Sequence, residues 1–181
     1  MKHVFILFSV VFILSSSLPA QNRKNVETST DIAMFVPAVA GVGVAIIKGD
    51  NKGLLQLGEA LAVQVAVSYG LKYTVKKKRP DGSDNHSFPS NHTGFSFAGA
   101  TFLQKRYGWK WGVPAYLACG YVAWGRVYAK RHDVWDVLAG AAIGLGSGML
   151  FTTPYAKEHN IVLAPSVTPD GHCGIYFSMT L

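Results

Sequence analysis

Residues 126–151 read RVYAKRHDVWDVLAGAAIGLGSGMLF, and two features of that stretch govern the reading of the whole chain. Its first part places Arg126, His132 and Asp136 close together. The remainder, Val134 to Phe151, is apolar with glycines inside it, the composition of a membrane helix. Four more apolar segments lie upstream, at 32–47, 54–73, 93–107 and 111–124. Most fall slightly short of the ~20 residues that a straight crossing needs. The fold expected is all-α: a bundle of five to six spans, integral to a membrane, with a short β-hairpin-like tail.

Composition agrees. Hydrophobic residues make up 49% and charged residues only 15%, against a usual quarter. The net charge of +7 raises nucleic acid as a partner, but the basic residues gather around a few polar clusters and form no basic–aromatic stripe. An anionic substrate or lipid surface fits better, so the partners expected are a phosphorylated lipid and the membrane, with no nucleic acid. Cys119 and Cys173 have no metal-site spacing; Cys119 reads as core packing, with a Cys119–Cys173 bridge as the alternative.

Met1–Ala20 has a basic start, an apolar centre and a small residue at its end, the form of a signal peptide or an uncleaved signal anchor. Residues 21–154 form the helical domain and 155–181 the tail. In the tail, Ile175, Phe177, Met179 and Leu181 alternate with polar residues, and Pro169-Asp170-Gly171 marks a turn after Ile161–Val167. Glu59 and Gln64, inside the second apolar segment, are expected to face the bundle interior. Trp109, Trp111, Trp124 and Trp135 sit near segment ends, as an interfacial belt or as core aromatics.

Three polar clusters interrupt the apolar pattern: Lys72-x6-Arg79-Pro80, Pro89-Ser90-Asn91-His92, and Arg126-x5-His132-x3-Asp136. They supply three cations, two imidazoles and a carboxylate. Cations crowded together oppose a metal ion and favour a phosphate, so no metal and no cofactor is expected. His132 and Asp136, four apart, are expected on one helix face, with the carboxylate orienting the ring. Ser90 precedes an apolar segment, where free backbone N–H groups bind anions; capping the helix is its alternative role. His92 is placed to protonate a leaving oxygen. Lys72 offers a point charge and Arg79 and Arg126 a planar fork. Lys76, Lys77 and Lys78 read as a solvated or headgroup-facing run.

These clusters resemble the signature of the type 2 phosphatidic acid phosphatase superfamily, which includes membrane lipid phosphatases, soluble acid phosphatases and vanadium-dependent haloperoxidases. The resemblance covers residues 54–151. It implies a phosphohistidine intermediate, with His132 as nucleophile, Asp136 as its partner and His92 as acid. Lys72, Arg79, Ser90, Asn91 and Arg126 then hold the phosphate. Asn91 stands where the family usually has glycine, and Gly125 where it usually has serine. The function implied is hydrolysis of a phosphate monoester or diphosphate on a lipid headgroup; a soluble exported acid phosphatase and a silent binder of anionic lipid are the alternatives.

If five segments cross, the loops at 74–92 and 125–133 are two crossings apart and share a face, so all three clusters meet. An exported start puts that face outside the inner membrane of a bacterium. Loop charge opposes this orientation, because the loops carrying the clusters are the more basic. The site itself accounts for several of those charges.

Overall fold

A computed structural model describes residues 23–158, 162–167 and 173–178. The first helices are α1 (Arg23–Ala33), α2 (Val36–Ile47) and α3 (Asn51–Val75). They are followed by α4 (Asn91–Tyr107), α5 (Trp109–Tyr128), α6 (Val134–Phe151) and the single turn α7 (Tyr155–Glu158). The stretch from 23 to 47 is long enough to cross a bilayer, but its helix is interrupted at Met34–Phe35, where Phe35 N turns back to Ile32 O at 3.1 Å. Strands β1 (Val162–Val167) and β2 (Cys173–Ser178) pair antiparallel, with Val162 opposite Ser178 and Val167 opposite Cys173. The signal segment and the turn at 169–171 lie outside the described residues.

The helices bury many small and polar residues around a few large apolar ones such as Leu57, Phe102 and Leu103, and leave other large apolar side chains on the outside. On α3 the buried positions are Gly53, Gln56, Leu57, Ala60, Gln64, Ser68 and Lys72, three or four apart and so on one face. Ile47 (86% exposed), Leu150 (80%) and Trp135 (73%) stand on the exterior. A chain this apolar outside is covered by lipid, not water. Among the described residues, Arg23–Ile47, Asn51–Val75 and Val134–Phe151 are long and apolar enough to cross a membrane. Trp109, Trp124 and Trp135 are exposed near helix ends, as a belt requires.

Helix α4 runs through the middle of the bundle, buried from Ala98 to Leu103. Its closest neighbour is α6, and the seam is made by glycine. A Cβ on Gly140 would strike Ser90 O, one on Gly144 would strike Gly94 O, and one on Gly148 would lie 2.6 Å from Thr101 Cβ. These glycines are four apart on one helix face, so α6 lies backbone-to-backbone against the start of α4. That contact brings the first turns of both helices together.

At the other end, Asp50 caps α3 by accepting Gly53 N at 2.8 Å. The same carboxylate receives Arg106 Nε at 2.8 Å, Arg106 Nη2 at 2.6 Å and the Tyr107 hydroxyl at 2.7 Å. This buried clamp ties the α2–α3 turn to the end of α4.

One expectation needs correction. Glu59 is exposed on the bundle's side, because it lies off the face marked by Leu57, Ala60 and Gln64; of the two, only Gln64 turns inward, bonding Ser68 Oγ at 2.9 Å and Asn91 Oδ1 at 3.3 Å. The polar residues before the third apolar segment form the amino terminus of its helix, as expected, with Ser90 as cap and Asn91 the first helical residue. Cys119 is a free thiol buried in the core, which agrees with its reading as core packing and not with the alternative bridge.

Candidate active site

All three polar clusters gather at the end of the bundle where α3 and α5 finish and α4 and α6 begin. Lys72, near the end of α3, donates to His86 O at 2.8 Å and Pro89 O at 2.7 Å, pinning the loop that follows. Within that loop Arg79 Nε contacts both Asp84 carboxylate oxygens at 2.8 Å, and Arg79 Nη1 reaches Arg131 O at 3.3 Å. Phe88–Pro89 is cis.

Ser90 is the cap of α4. Its Oγ accepts Thr93 N at 3.4 Å and shares a hydrogen with the Thr93 hydroxyl at 3.0 Å. Its own N donates to Asp136 O at 2.8 Å, joining the starts of α4 and α6 directly. Asn91 occupies the first helical position with its side chain turned to Gln64, so it offers an anion only its backbone N–H. His92 follows on the first turn, ahead of the apolar run.

The turn after α5 explains the spacing from Arg126 to His132. Lys130 adopts a left-handed conformation (φ 58°), Lys130 N reaches Val127 O at 3.0 Å, and Arg131 N reaches Arg126 O at 3.1 Å. This double bond pattern ends a helix abruptly and is usually built on glycine. It folds the chain back so that His132 N also approaches Arg126 O, at 3.3 Å. His132 therefore lies in a loop before α6, not on its face. Asp133 caps α6 through Asp136 N at 3.0 Å, while Asp136 Oδ2 accepts Asp133 N at 3.1 Å. The four-residue spacing still brings Asp136 Oδ2 to 3.6 Å from His132 Nδ1, slightly beyond hydrogen-bond length.

Asp136 is fully buried and held from several sides. Lys77 Nζ contacts its Oδ1 at 2.8 Å and Asp133 Oδ2 at 2.5 Å, and the Ser87 hydroxyl donates to its Oδ2. Lys77 is thus no part of a solvated run: the ion pairs lead it to the centre. Neither Lys77 nor Ser87 is distinguishable in the sequence from neighbours of the same type.

Burial holds the His132 imidazole below its ordinary pKa. Asp136 opposes this, and the cations Arg79, Lys72 and Arg126 reinforce it. His132 is left neutral near neutral pH.

A further residue comes from α1. Asp31 Oδ1 lies 2.5 Å from Arg126 Nη1 and 2.9 Å from His92 Nε2. The same helix accounts for Gly125: a Cβ there would run into Thr30 and lie 3.2 Å from Val26 Cγ1. Thr30 Oγ1 instead approaches Arg126 Nη1, at 3.5 Å.

A family model described as the PAP2 superfamily matches residues 53–159, which hold all three clusters. The chain belongs to the PAP2 superfamily. It is similar to the lipid A 4'-phosphatase of Helicobacter pylori (strain J99), 31% identical over 171 residues, covering 88% of this chain and 85% of that protein. It also resembles the lipid A 1-phosphatase of Porphyromonas gingivalis, 31% identical over 129 residues, which cover 66% of this chain but 29% of that protein. Two solved structures share the fold. Aquifex aeolicus LpxE gives a TM-score of 0.59 at 18% identity, covering 81% of this chain and 92% of that one. The first transmembrane PAP2-type phosphatidylglycerolphosphate phosphatase from Bacillus subtilis gives 0.58 at 21% identity, covering 83% and 85%. With its spans and its family together, the chain is a membrane-embedded phosphatase.

Proposed function

We propose that the chain removes a phosphate monoester from a lipid A-type headgroup, through a phosphohistidine formed on His132. The observation that carries this reading is the aim of the His132 ring: Nδ1 faces the buried Asp136 carboxylate, which leaves Nε2 to attack. Nε2 forms a bond to phosphorus as the ester P–O bond breaks, and His92 gives its proton to the leaving oxygen. Water then attacks the phosphohistidine, His92 takes a proton from it, and inorganic phosphate leaves.

His92 must carry a proton for the first step. A phosphate dianion beside it favours the protonated ring, because opposite charge stabilises it. Lys72, Arg79 and Arg126 neutralise charge spreading over the equatorial oxygens. Backbone N–H groups after Ser90, including that of Asn91, add the positive end of α4.

The 31% identity to a lipid A 4'-phosphatase along most of both chains supports the choice of lipid. The exposed apolar exterior favours a lipid substrate over a soluble ester. On this reading the reaction takes place on the periplasmic face of the inner membrane, at headgroup depth. Purified wild-type protein should release phosphate from lipid A in detergent micelles, and His132→Ala should lose nearly all of that activity. Equal rates from the two proteins would refute the histidine mechanism.

A further inference from the structure

We infer that Asp31 competes with phosphate for His92 and Arg126, and so weakens the hold of the site on free inorganic phosphate. This rests on the phosphate-site reading above. The structural basis is one oxygen atom with two partners: Asp31 Oδ1 contacts both His92 Nε2 and Arg126 Nη1. A productive phosphate needs the same two donors, one to protonate the leaving oxygen and one to bind an equatorial oxygen. Two anions cannot use them together, because like charges in contact repel strongly at reduced dielectric. An arriving phosphate must displace the carboxylate.

The surroundings allow that displacement. Arg126 is buried, with its Nε lacking any hydrogen-bond partner, whereas the Asp31 side chain is 47% exposed and can turn towards water. Asp31 also belongs to α1, whose helical run is interrupted at Met34–Phe35. Glu27, one turn earlier, faces Arg131 Nε at 3.1 Å and stays outside the pair.

The displacement costs substrate and product the same increment. A lipid phosphate is also held by its acyl chains and sugar, whereas inorganic phosphate has only the cage, so that increment leaves the lipid bound and brings the free anion to the point of release. Asp31 thus promotes departure of the product.

The test is calorimetric titration of inorganic phosphate into the full-length protein in detergent, alongside its inhibition constant against lipid A hydrolysis. Asp31→Asn should bind phosphate about tenfold more tightly, equivalent to ~1.4 kcal/mol. Its kcat should fall as product release slows, and Glu27→Gln should bind phosphate like wild type. Asp31→Ser, a smaller side chain without charge, should repeat the tightening. If both Asp31 variants bind phosphate no better than wild type, the carboxylate only braces the cations and the inference is wrong. Calorimetry needs no turnover, so failure of His132-dependent hydrolysis would leave this comparison readable.

Discussion

Replacing Gly140 with alanine tests whether the α4–α6 seam sets the catalytic geometry. The added methyl group points at Ser90 O from well inside contact, and lies 3.2 Å from Ser90 C and 3.3 Å from Gly94 N. All three are backbone atoms, so no rotamer change can make room. Ser90 O is moreover already bonded to Gly94 N at 3.0 Å. Restoring an ordinary contact of ~3.5 Å moves Ser90 away from α6 by about 1 Å. Ser90 and His92 move with α4, whereas Asp136 stays on α6. A misplacement of about 1 Å costs on the order of 100-fold in rate, or ~2.7 kcal/mol of barrier.

Stability should suffer less. Overpacking costs ~1–3 kcal/mol, of which alanine's better helix propensity returns up to ~1 kcal/mol. The assay is phosphate release from lipid A in micelles, with thermal unfolding measured on the same preparation. Gly146→Ala is the control: it lies on the same helix with nothing within 4 Å of its Cβ. It should keep full activity and melt no lower than wild type. Wild-type turnover in Gly140→Ala would refute the idea that this contact positions the two histidines.

Four more outcomes can be checked. Lys77→Met removes a charged bond to Asp136, worth ~1.5–3 kcal/mol and nearer the lower figure for a partly exposed lysine, so kcat should drop roughly tenfold; Lys76→Met should not change it. The depressed pKa of His132 keeps its neutral, attacking form present below the ordinary value of 6.5, so the loss of kcat/KM that protonating this ring causes should set in only below that point. Arg79→Gln removes one of the cations depressing that pKa, and the acid limb of the pH profile should move upward. Arg106→Met strands the buried Asp50 carboxylate and should cost ~3–5 kcal/mol of stability by thermal unfolding.

Much of this was visible in the chain itself, for identifiable reasons. Apolar segments broken by glycine mark the helices, because lipid rewards continuous hydrogen-bonded backbone with an apolar exterior. Ser90 before the third segment marks a helix start, and the structure makes it the cap. The pairing of His132 with Asp136 was readable from their spacing, although the helical explanation was wrong. Asp133 starts the helix one residue after the histidine, and a left-handed Lys130 sets the turn, a conformation that lysine does not advertise.

Other features depend on tertiary contact. Lys77 looks like Lys76 and Lys78 until the loop folds and delivers one of the three to Asp136. Asp31 lies about sixty residues before His92, on a helix whose docking is recorded only obliquely by the absence of a side chain at Gly125. Glu59 and Gln64 looked alike as polar intruders, and only the buried face of α3 separates them.

The Asp50–Arg106–Tyr107 clamp has a consequence for catalysis despite its distance from it. Helix α4 spans 17 residues, about 25 Å, and is fastened at its far end to the turn before α3. It cannot slide along its own axis without breaking that buried fastening, and a slip of a single turn is ~5.4 Å. The anchor thus works as a depth gauge: it fixes how far below the headgroups the imidazole of His92 stands, and so which bond of a lipid it can reach.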